Sequence, residues 1–116
     1  MKEVKFPFDA ERCFEKCVKH KNIPRNDFEK QAILIRLIKE FQDNKKYSEQ
    51  EVNSIIKKYF DDYATVRREL INFGYIQRDI NKGEYWVVKR KLTAEDIKNN
   101  ILLRRYAKSY GILEEK

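Results

Sequence analysis

The chain has 116 residues, 41% hydrophobic and 13% aromatic, with 26 lysines and arginines against 19 aspartates and glutamates and a formal net charge of +7. That length fits a single domain, 1–116, with enough apolar mass for a core. No apolar run approaches the roughly 20 residues of a membrane span, the early charges of MKEVKFPFDAE do not fit a secretory signal, and two cysteines are too few for a disulfide framework, so a soluble, cytoplasmic protein is expected.

Residues 1 to 22 form an N-terminal extension. Pro7 keeps MKEVKFPF extended, and Asp9 then caps a helix from Ala10 to about Lys19, whose Ala10, Cys13, Phe14, Cys17 and Val18 share one arc. The turn-like run Asn22-Ile23-Pro24-Arg25-Asn26 follows, with Asn26 or Asp27 as the next cap. A longer helix runs to about Gln42. Its apolar positions, from Phe28 to Phe41, cover more than one face, as expected of a central helix packed on two sides.

Ser48 and Glu51 make a capping-box pattern at the start of the next helix, which buries Val52, Ile55, Ile56 and Tyr59. Asp61 or Asp62 caps the helix that follows, and Gly74 stops it as a left-handed C-terminal residue. Tyr75–Ile80 and Glu84–Val88 are rich in aromatic and β-branched residues around the turn Asn81-Lys82-Gly83, which predicts a β-hairpin. A short strand near Lys46-Tyr47 would pair with it. Thr93, with Asp96 three residues on, caps a last helix to about Tyr110, which Gly111 stops.

The expected fold is therefore α+β, mostly α: a winged helix-turn-helix of three helices plus a β-hairpin wing over 23–88, with an added N-terminal helix and a basic C-terminal helix in 89–116. Several positions carry a family resemblance. The E-x-E-V-N run Glu49 to Asn53 stands at fixed distance from the D-Y-A-T-V-R-R run Asp62 to Arg68, and Gly74-Tyr75-Ile76, Arg78, Gly83 and Tyr85-Trp86 follow. Over about residues 23 to 88 the chain resembles the prokaryotic family Domain of Unknown Function 2087, whose members occur alone or joined to helix-turn-helix regulators. The resemblance implies a winged-helix-like domain associated with transcriptional regulation. In place of a fused regulator, this chain shows a Cys-bearing first helix and a basic last one.

The residues themselves suggest how such a module would meet duplex DNA. With the recognition helix at about 62–73, Tyr63, Val66, Leu70 and Phe73 fall on one side and Ala64, Thr65, Arg68 and Asn72 on the other. Small Ala64 and Thr65 permit close approach, Arg68 suits guanine and Asn72 suits adenine. Arg67 is the neighbouring candidate, and the alternative role for Arg67 or Arg68 is pairing with Asp61, Asp62 or Glu51 within the domain. In the wing, 75–88, Arg78 and Lys82 are candidates for phosphate, and Lys89, Arg90 and Lys91 follow as a clamp.

Charge is the opposing consideration. Residues 27–88 sum to zero, while 1–26 carry +3 and 89–116 carry +4. That neutrality keeps a second reading open, a protein-interaction or small-ligand-sensing module without DNA binding. The apolar face of the last helix (Leu102, Leu103, Tyr106, Ala107, Tyr110) needs a cover, either the Cys-bearing helix of the same chain or a second copy in a homodimer.

No metal or cofactor is expected. Cys13, Cys17 and His20 lie along one helix edge, but Cys13 and His20 are roughly 10 Å apart along the axis, too far to converge on a zinc ion. The thiols are expected to be buried as small hydrophobes. No catalytic residue stands out either, because His20 is the only histidine and no nucleophile is paired with a base.

Overall fold

The computed structural model describes residues 4–109, and among these the elements are six helices and one two-stranded antiparallel sheet. The helices are α1 (Ala10–His20), α2 (Asp27–Ile38), α3 (Glu49–Lys57), α4 (Tyr63–Asn72), α5 (Ala94–Lys98) and α6 (Ile101–Ser109), with β1 (Ile76–Asp79) and β2 (Glu84–Val87) between α4 and α5. No helix of the described residues is long and apolar enough to cross a membrane.

Local hydrogen bonds start these helices where the sequence places the caps. Asp9 accepts from the Arg12 amide, Asn26 from the Phe28 and Glu29 amides, and Asp62 from the Thr65 amide. Ser48 with Glu51 and Thr93 with Asp96 close complete capping boxes. Each satisfies donors that a helix N-terminus leaves open. Gly74 and Gly83 both take positive φ, +81° and +63°, which the helix stop and the hairpin turn require.

Two helix ends differ from the expectation. The central helix stops at Ile38, not Gln42, because the amides of Lys39, Glu40 and Phe41 bond back three residues and tighten the last turn. The expected single C-terminal helix is broken at Asn99-Asn100. Asn99 ends α5, and the Asn100 side chain accepts from the Leu102 and Leu103 amides, so it caps a new helix. The expected end at Tyr110 and stop at Gly111 lie outside the described residues.

The main core joins α1 to α4 and the hairpin through Phe14, Ile33, Leu34, Leu37, Val52, Ile56, Phe60, Val66, Leu70 and Tyr75. The predicted third strand is a single bridge, in which Tyr47 and Tyr85 exchange two backbone bonds of 2.8 Å. One polar contact crosses the interior. Gln31, the one buried polar residue among those described, accepts from the Tyr75 hydroxyl at 2.7 Å and donates to the Asp27 carbonyl at 3.0 Å. Tyr75→Phe would leave the Gln31 oxygen unsatisfied and is expected to cost about 1–2 kcal/mol in urea unfolding. A loss near zero would mean that the bond adds nothing.

A second, smaller core lies on the other side of α2. Phe28, Leu92, Ile97 and Leu103 are buried together, with Val4, Phe6, Phe8 and Tyr106 packed against them. The Val4 amide donates to the Leu92 carbonyl at 2.7 Å, which ties the extended N-terminal segment to the C-terminal one. Of the apolar face of the last helix, Leu103 and Tyr106 are thus packed within the chain, against α2 and this strap. Ile101 and Leu102 stay exposed, while the side chain of Ala107 and all of Tyr110 lie outside what is described.

Candidate nucleic-acid interface

The two adjacent arginines of α4 have opposite fates. Arg67 turns inward, where one guanidinium nitrogen donates to Asn53 Oδ1 and another lies 3.5 Å from Glu49. Its side chain is only 14% exposed, and its Nε has no partner. Glu49 also accepts from the Tyr85 hydroxyl at 3.2 Å, so Arg67 is an internal brace joining α3, α4 and β2. Arg68, one position on, is exposed.

The other outward residues of α4 are partly engaged. The Thr65 hydroxyl donates to Asp62 at 2.7 Å, in addition to the amide cap. These bonds, and then the nearby Arg68 cation, hold the Asp62 carboxyl below its usual range. A depressed carboxylate stabilises the fold above its unfolded pKa and loses that contribution as pH falls through the folded value. Asp62→Ala should therefore be less stable than the parent at neutral pH, and the difference should vanish well below the carboxylate range. A gap that persists in acid would assign it to something other than the ionised cap. Asn72 is exposed and donates to Glu69 at 3.2 Å, while Glu69 also receives Lys30 from α2.

In the hairpin, Arg78 and Lys82 are exposed. The register pairs Ile76 with Val87 and Arg78 with Tyr85 on one face, Gln77 with Trp86 and Asp79 with Glu84 on the other. Two carboxylates therefore face each other near the tip. Asp79 accepts from the amides of Asn81 and Lys82, which shapes the turn.

The expected clamp after the hairpin is largely committed elsewhere. Arg90 donates to Asp43 at 2.8 Å and to the carbonyls of Ile38 and Phe41 at 2.9 and 2.6 Å. It therefore closes the C-terminal end of α2, where unpaired carbonyls favour a cation. Lys89 pairs with Asp96 at 3.4 Å and lies 4.5 Å from the Tyr75 ring centre. Lys91 is exposed.

Two cations that the sequence reading left out stand beside the hairpin. The Tyr47–Tyr85 bridge brings Lys45 and Lys46 alongside β2, with the Lys46 ammonium 3.8 Å from the Trp86 ring centre. Their signal was a lysine pair before the bridging residue. Trp86 itself is half-buried, whereas Tyr85 is core.

A family model described as an uncharacterized protein conserved in bacteria (DUF2087) matches residues 19–87, more than half of the chain. No curated protein and no solved structure matches it.

Proposed function

The chain belongs to the DUF2087 family, and from that premise we propose that it is a winged-helix regulator that binds double-stranded DNA. The order α2, α3, α4, hairpin, with Tyr47 bridged to β2, supports the winged-helix reading that the proposal uses. The observation that carries it is the division of labour in the arginine pair. Arg67 secures α4 from within, which leaves Arg68 exposed on the outer side with Asn72 one turn further on.

In this reading α4 enters the major groove, Arg68 reads guanine and Asn72 reads adenine once released from Glu69. Arg78, Lys82 and Lys46 contact phosphates. Arg67 and Arg90 drop out of the contact set because their bonds are spent inside the fold, and Thr65 contributes its methyl side. For the homodimer expected through the last helix, Ile101 and Leu102 are exposed among the described residues, and a solution mass measurement decides it.

A titration of the protein against random duplex at two salt concentrations tests the proposal. Neutralising three to four phosphates gives a log–log slope of about −3, so affinity should fall steeply with salt. Absence of binding at low salt sinks the DNA reading. One observation favours the other reading, a protein-interaction or small-ligand module: the exposed Asp61 and Asp62 stand at the end of α4 that would approach phosphate. That module would show no salt-dependent duplex binding at all.

A further inference from the structure

Cys13 and Cys17 take no part in the proposed DNA contact and lie outside the residues that the family shares. One turn apart on α1, their Cβ atoms are about 5–6 Å from each other. Both thiols pack against the main core as the sequence suggests, but neither is fully buried. Both are half-buried, and they line one recess of about 300 Å³ between α1 and the turn at Asn22–Pro24. Lys16, His20 and Glu29 share its walls.

Two thiols side by side at an accessible recess are a ligand set for a soft ion. Tetrahedral zinc needs four donors, and among the described residues no three His, Cys, Asp or Glu side chains converge. A d10 monovalent ion is satisfied by two thiolates, and soft sulfur ligands select Cu(I). We propose that Cys13 and Cys17 form a two-coordinate site for Cu(I).

Binding transfers no electrons. Each Sγ gives its proton to solvent and places the freed electron pair on the ion, so one Cu(I) and two thiols yield an anionic bis-thiolate and two protons. The Lys16 ammonium at the wall offsets the resulting negative charge. Burial holds both thiols above their ordinary range, with Cys17 pushed up to about 11, and the Glu29 carboxylate adds to it. At neutral pH the pair is therefore protonated and slow to react with oxidants or electrophiles, while a thiophilic ion displaces the protons.

Anaerobic titration of the reduced full chain with Cu(I), in competition with the chromogenic chelator bathocuproine disulfonate, tests the site. One ion per chain is expected, with a thiolate-to-copper absorption band and an affinity that rises about a hundredfold per pH unit near neutrality, since two protons leave. Cys13→Ser and Cys17→Ser should each weaken binding about tenfold or more, because one thiolate cannot complete the coordination. Serine keeps the side-chain shape, and urea unfolding of the metal-free variants separates loss of a ligand from loss of the fold. Parent-like affinity in either single variant overturns the proposal. So does one ion retained by the double variant, or one ion shared between two chains.

Discussion

Phe28→Ala is expected to lower unfolding stability by about 3–5 kcal/mol, the usual cost of removing a fully buried aromatic ring. Phe28 is 0% exposed and opens α2 at the point where both flanks meet the rest of the chain. Its ring centre lies 5.3 Å from that of Phe6 and 6.4 Å from that of Phe8, and Leu92, Ile97 and Leu103 fill the remaining sides. Few of these residues can close the void, because the strap and α6 come from opposite ends of the chain. Hydrogen exchange gives a second readout. The Val4 amide, bonded to the Leu92 carbonyl, should lose protection in the variant while amides of α3 and α4 exchange only as global stability dictates. A loss below about 1 kcal/mol would show that the second core contributes little.

Arg67→Ala and Arg68→Ala should separate stability from binding. Arg67→Ala strips Asn53 and Glu49 of a shared, largely buried donor, and a cost of about 1–2 kcal/mol is expected. The figure stays below that of a fully buried ion pair because Glu49 is 55% exposed and water can replace the guanidinium. Arg68→Ala should unfold like the parent within about 0.5 kcal/mol, since the residue is exposed. Its loss should appear instead in discrimination between DNA sequences, about 1–3 kcal/mol for a bidentate base contact, or roughly tenfold to more than a hundredfold. Paired urea unfolding and fluorescence anisotropy on specific and random duplexes read both quantities. If Arg68→Ala binds every sequence as the parent does, α4 is not the reading helix. If Arg67→Ala is fully stable, the brace joining α3, α4 and β2 is not one.

The same pair shows where sequence reasoning stops. Helical projection separates Val66 and Leu70 from Arg68 and Asn72 correctly, because periodicity fixes which side of α4 faces the core. It places Arg67 ambiguously, near the boundary, and a long side chain at a boundary goes wherever a partner lies. Its partners, Asn53 and Glu49, come from the preceding helix. The E-x-E-V-N and V-R-R runs that carry the family resemblance thus meet in a structural network through Glu49, Asn53 and Arg67. Arg90 is a clearer case. Three basic residues in a row suggest a phosphate clamp, yet the middle one reaches back 47 residues to Asp43 and closes the end of α2.

By itself the sequence determined the start of every helix but α6, the hairpin and its turn, and the apolar side of each helix in the main core. Those features rest on bonds between residues near in sequence, no more than three apart in the caps and at most eleven in the hairpin, and on periodicities of 3.6 and 2, all of which are written locally. The tertiary structure alone decided the second core built from both chain ends and which cations remain available to a partner, whereas the break at Asn99-Asn100 is again a local cap. A charge is free only when no acceptor is brought within reach of it, and that depends on distances between segments far apart in the chain.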